Sequence, residues 1–160
     1  MGVVARILTK KKYMDIYKLI HDVKLAAVGA GLKPIIDTKL YNNTMEGGVY
    51  TTANIADTYE DIPEAQEFLM YISSYDPYIG VFDWIDKNLM CVIFIENISG
   101  REKILLDFLY EYFKLNPEDY FWDDEECFYT YEDIIKIKQQ EFDPDWCCKN
   151  LHPEVKKNDE

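Results

Sequence analysis

LMCVIFI, residues 89–95, carries seven apolar side chains in a row with no charge among them. Side chains alternate between the two faces of a strand, so a run like this turns oil to both sides. It reads as a central strand covered above and below, since an edge or half-exposed strand would alternate with polar residues. The run falls well short of the roughly eighteen apolar residues of a membrane span. Cys91 inside it reads as a small core hydrophobe.

Around this strand the chain alternates between strand and helix signals. VVARIL (3–8) predicts a short strand. Tyr13, Ile16, Tyr17, Ile20, Val23 and Ala27 recur at helical spacing, and Gly29, Gly31 and Pro34 end that helix. KPIIDTKLY and GGVYTTANI predict two strands separated by Asn42-Asn43 and Gly47-Gly48. A second helix is expected from Asp61, with Pro63 in its first turn and Ala65, Phe68, Leu69 and Ile72 as its buried stripe. YIGVFDWID is expected to pair with LMCVIFIEN as a hairpin joined at Asp86-Lys87-Asn88. Ser99 and Glu102 predict a capping box for a helix with Ile104, Leu105, Phe108, Leu109, Tyr112 and Phe113 along one face, stopped at Asn116-Pro117. Thr130 and Asp133 predict a further cap for a short helix, although DIIKI would also serve as a strand. These signals give an α+β fold: one domain over residues 1–155, a mostly antiparallel sheet with three to four helices packed on it, and a frayed tail at 156–160.

The charge is as uneven as the pattern. Thirty acids against seventeen bases leave −13, yet residues 1–50 hold eight Lys/Arg and only four Asp/Glu. The acids gather late. YFWDDEECFYTYED (120–133) contains six carboxylates and six aromatics without one base, and DPDW (143–146) repeats the pattern. Such a field argues against direct binding of nucleic acid or an anionic membrane and favours a basic partner. No secretory signal opens the sequence, so a cytoplasmic protein with reduced thiols is expected.

Chemistry offers little purchase on those acids. His21 falls on the first helix beside its apolar stripe, and His152 lies near the tail, where a positioned proton shuttle would be hard to hold. The sequence has no nucleophile elbow, Gly-rich phosphate loop or HExxH pair. Cys127, Cys147, Cys148 and His152 lack the knuckle spacing of zinc sites, and the acidic runs lack a calcium loop. The expectation is therefore neither an enzyme nor a metalloprotein, and no cofactor. A solvated acidic loop would not carry so many rings. About half of the rings are expected to anchor the segment, with alternation in CFYTY sending Phe128 and Tyr129 opposite ways. A docking face accounts for the remainder: rings supply desolvated anchors, and carboxylates pair with Arg and Lys.

FLYEYFKLNPEDYFW (108–122) and DPDWCCKNLHP (143–153) resemble small acidic immunity proteins encoded beside bacterial polymorphic or contact-dependent toxins, a likeness covering about a third of the chain. That resemblance implies a protein without activity of its own that binds a cognate basic toxin domain, often a nuclease. The expected contact residues are Asp119, Trp122, Asp123, Asp124, Glu125, Glu126, Tyr129, Asp143, Asp145 and Trp146, with Trp122, Tyr129 and Trp146 as anchors. The alternatives are a nucleic-acid mimic that inhibits a DNA-binding enzyme, and a small hydrolase using carboxylates or a metal. A compact cluster of buried acids with shifted pKa values would favour the hydrolase.

Overall fold

The computed structural model describes residues 4–41, 48–58, 66–74, 80–123 and 127–156. The apolar run becomes β5 (Leu89–Glu96), the middle strand of an antiparallel seven-stranded sheet formed by the described residues. The others are β1 (Ala5–Lys10), β2 (Lys33–Tyr41), β3 (Gly48–Ala56), β4 (Glu67–Ser73), β6 (Tyr120–Asp123) and β7 (Phe128–Tyr129). Their order across the sheet is β2-β3-β4-β5-β1-β6-β7. Among the described residues three helices complete a single α+β domain: α1 (Ile16–Gly29), α2 (Glu102–Leu115) and α3 (Tyr131–Gln139). None is long and apolar enough to cross a membrane.

Cross-strand register assigns the two faces. Thr38, Thr51, Ile72, Ile93, Ile7, Phe121 and Tyr129 lie in one row. From Ile72 onward this row belongs to the main core, which α1 fills with Leu19, Val23, Ala26 and Ala27 and α2 with Leu105, Phe108, Tyr112 and Phe113. One residue out of step, Asp37, Thr52, Tyr71, Phe94, Arg6, Trp122 and Phe128 form a row on the opposite face. At the β1–β6–β7 side that face has its own smaller core of Leu8, Phe82, Leu89, Trp122 and Phe128, against which Trp84, Ile85 and Val155 pack. β5 is thus buried on its main-core face, while on the other face Leu89 is buried and Cys91 and Phe94 are only half-buried.

Several local expectations give way to tertiary context. Residues 61–65 lie outside the described residues, but 67–73 is strand β4, not helix. Phe68 and Ile72 fit both periodicities. Met70 decides: with Phe68 and Ile72 it makes an alternating set, all 0% exposed, and β3 and β5 pair on either side. Of the expected hairpin segment 78–86, residues 78 and 79 lie outside the described residues, and 80–86 run as turns with Phe82 against Trp122; the neighbours of β5 are β4 and β1. Ser99 does not cap α2. The N-cap is Arg101, and the Glu102 carboxylate accepts from the Gly100 N–H at 3.1 Å. In α1 the buried stripe is Leu19, Val23, Ala26 and Ala27, while Tyr13 and Tyr17 turn outward. The stripe of α2, its stop at Asn116, and the Thr130–Asp133 capping box of α3 are all as the sequence predicts.

Candidate functional site

Phe121 and Tyr129 face each other across β6 and β7, and both rings meet Trp146 of the C-terminal segment, at 5.6 and 5.7 Å between centroids. Trp146 begins a short 3-10 turn (Trp146–Cys148), is 2% exposed, and donates its indole N–H to the Glu102 carbonyl at the start of α2 (3.0 Å). The Tyr129 hydroxyl donates to the Lys149 carbonyl (2.7 Å) and accepts from the Lys149 N–H (3.0 Å). Burial and the nearby Asp123 push this phenol far above its ordinary pKa, so it is a fixed neutral hydroxyl. The two ring-and-acid stretches of the sequence therefore come together, with their rings as the joint.

This corrects the expected anchors. Trp122, Tyr129 and Trp146 are 9%, 0% and 2% exposed, so none is presented to a partner. Trp122 packs edge-on to Phe82 at 5.4 Å and under the Arg6 guanidinium at 5.3 Å, the same guanidinium lying over Phe94. Phe128 and Tyr129 do point to opposite cores. All six rings of 120–131 are at least partly buried, where half had been expected to be.

The acids divide into internal and external sets. Asp123 is 2% exposed and closes the β6–β7 turn by accepting from the Cys127 N–H at 3.0 Å. Asp119 is 4% exposed and accepts from Thr9 Oγ1 (2.7 Å) and the Tyr112 hydroxyl (2.8 Å). Burial raises its pKa to about 6 despite those two bonds, which favour the charged form. Neither is a free contact residue. Asp124, Glu125 and Glu126 lie outside the described residues. Asp143 and Asp145 remain at the surface: Asp143 is paired with Lys149, whose ammonium holds its carboxyl below the usual range, and Asp145 is exposed. Glu132, Glu141 and Glu154 are exposed acids of the same region. Between α3 and the segment 141–151 lies a cavity of about 310 Å3, with Ile137, Trp146 and Leu151 as apolar lining and Glu141, Asp143 and Lys149 at hand.

Two arrangements are not legible in the sequence. His152 is held firmly: its ring stacks on Phe128 (4.5 Å, 10° between planes), and Nε2 lies 2.6 Å from the Asp133 carboxylate. Asp133 could be named as a capping residue, but a partner nineteen positions on leaves no local mark. The second is a cleft of about 410 Å3 between the start of α1 and the end of α2, lined by Tyr13, Lys18, Leu115, Asn116, Glu118 and Asp119 among others. Beside it the Asp22 carboxylate, also buried, receives Lys18 Nζ (2.5 Å) and the Asn116 amide (3.1 Å).

Among the described residues no group of three or more His, Cys, Asp or Glu is placed to hold a metal ion. Cys147 is buried, and burial with Asp123 and Glu102 nearby pushes its thiol far above the ordinary value, which keeps it protonated. Family models, curated proteins and solved structures were each compared with the chain, and none matches it.

Proposed function

We propose that the chain is an immunity protein that binds a cationic toxin domain and neutralises it, with the acids around β6, β7 and residues 141–154 as the docking end. What supports the reading is one arrangement: Trp146 packs against Phe121 and Tyr129, drawing two acidic stretches into one region. Because the rings are spent on that joint, docking relies on carboxylates such as Glu132, Glu141, Asp145 and Glu154, and less on aromatic anchors. Charge of that kind mainly speeds encounter and selects the partner's sign. The test is capture of partners from the native host at low salt, followed by assay of whatever basic domain is recovered. A toxin that is inactive while bound and regains activity when salt releases it is the expected result. A captured protein whose activity is unchanged by the chain would sink the proposal.

A second reading, a small carboxylate-dependent hydrolase, is favoured by Asp119, a buried acid with a pKa near neutrality at a cleft. Against it, Thr9 and Tyr112 occupy both carboxylate oxygens. Hydrolysis of a panel of ester and phosphoester substrates that disappears in Asp119→Asn, with the fold intact, would favour this reading over the first.

A further inference from the structure

The end of β1 runs straight into Lys10, Lys11 and Lys12, and a second segment meets it there. The Lys11 N–H donates to the Asn88 carbonyl at 2.8 Å, which pins the Asp86-Lys87-Asn88 turn against the lysines. Asn88 adopts φ 62°, a left-handed conformation that asparagine tolerates, and this shapes the turn. Lys10, Lys11, Lys12, Asp86, Lys87 and Asn88 together line a hollow of about 500 Å3. Four lysines and one aspartate thus line one hollow, in a chain whose net charge is −13.

That carboxylate is already engaged. Asp86 has Lys10 Nζ at 3.6 Å, accepts from the Tyr120 hydroxyl at 3.1 Å, and takes the Lys87 N–H at 2.8 Å. Lys12 lies 4.8 Å from the centre of the Tyr13 ring. Among the described residues no carboxylate pairs with Lys11 or Lys87. Register separates this cluster from the acidic end: Lys10 lies opposite Leu89, whereas Ala5, at the other end of β1, lies opposite Asp123. Five steps along a strand is roughly 17 Å, more than a Debye length at physiological salt, so the acids there do little to neutralise it.

We propose that this hollow binds a phosphate-bearing anion, independently of the docking end. Crowded ammonium groups repel one another, and a multiply charged anion relieves that repulsion at several of them together. Lysine serves phosphate as a mobile point charge, and the volume is that of a small-molecule site.

The experiment is titration of the full chain at low salt with pyrophosphate and, separately, with ATP, followed by amide chemical shifts and calorimetry. Saturable shifts at Lys10–Lys12 and Asp86–Asn88 are expected, with affinity about tenfold weaker in Lys11→Ala/Lys87→Ala. Lys103→Ala, on α2 and outside the hollow, should bind as the parent does. Tighter binding of ATP than of pyrophosphate assigns a nucleotide; equal binding of both probes assigns the phosphate group alone. Absence of shifts at millimolar pyrophosphate and ATP overturns the proposal. So does undiminished binding by a folded Lys11→Ala/Lys87→Ala variant.

Discussion

The Tyr112 hydroxyl donates to Asp119 Oδ2 at 2.8 Å in a fully buried contact between α2 and the turn that leads into β6. With Thr9 on the other oxygen, it ties β1, α2 and β6 to one carboxyl group. That group is held where water cannot solvate its charge, which is why its pKa rises to about 6.

Stability should record this directly. Because the folded pKa lies above the unfolded value of 3.8, Asp119 contributes fully only in acid, and the contribution is lost as pH rises through about 6. Between about pH 5, just above the isoelectric point, and about pH 7.5, the loss from this group is about 1.4 kcal/mol. Asp119→Asn removes the titration, so its stability relative to the parent should improve by about that amount across the same range, read by urea unfolding. A difference that stays flat with pH would mean that Asp119 does not titrate there.

Trp146→Ala should be among the most damaging single changes. The indole fills the joint between Phe121 and Tyr129 and satisfies the Glu102 carbonyl. Loss of about 3–5 kcal/mol is expected from the lost burial and the cavity together. Trp146→Phe keeps part of the volume and should recover part of the loss. If Trp146 were instead a surface anchor, thermal unfolding of Trp146→Ala would match the parent.

The exposed acids should separate binding from folding. Replacing Glu141, Asp143 and Asp145 by amides removes one ion pair, Asp143–Lys149, at a cost below about 1 kcal/mol. Association with a basic partner should slow about tenfold at low salt, the deficit shrinking as salt rises. Stopped-flow rates at several ionic strengths decide it; an unchanged rate would move the docking surface elsewhere. Asp119 and Asp123 do not serve in such a test, because both are buried.

Thiol labelling gives an independent check of burial. Cys148 is exposed, whereas Cys127 and Cys147 are buried and the Cys147 thiol is held protonated. Alkylation near pH 8 followed by peptide mapping should therefore modify Cys148 first, with Cys147 reacting only as the protein unfolds. Equal rates at the two adjacent residues would contradict the packing of the 3-10 turn.

Much of this fold can be read locally. The stripe of α2, the β2–β3 pair, the capping box at Thr130 and the opposed directions of Phe128 and Tyr129 each depend on neighbours a few positions away. β4 misleads because Phe68 and Ile72 satisfy a helix as well as a strand, and only pairing with β3 and β5 arbitrates. The docking anchors fail for a related reason. A tryptophan flanked by carboxylates looks the same in sequence whether it faces a partner or, like Trp146, reaches back to Phe121 and Glu102. Charge reports composition; burial is settled by contacts from far along the chain.

β1 shows what that distance means for a ribosome. β1 occupies a place between β5 and β6, so its hydrogen-bond partners at residues 89–96 and 120–123 emerge only later. Until then β1 must wait with both edges unpaired. Closing the sheet is consequently a late, non-local event of the kind that slows folding. The nascent chain spends that interval with β1 open to mispairing, and a holdase chaperone would have a grip there.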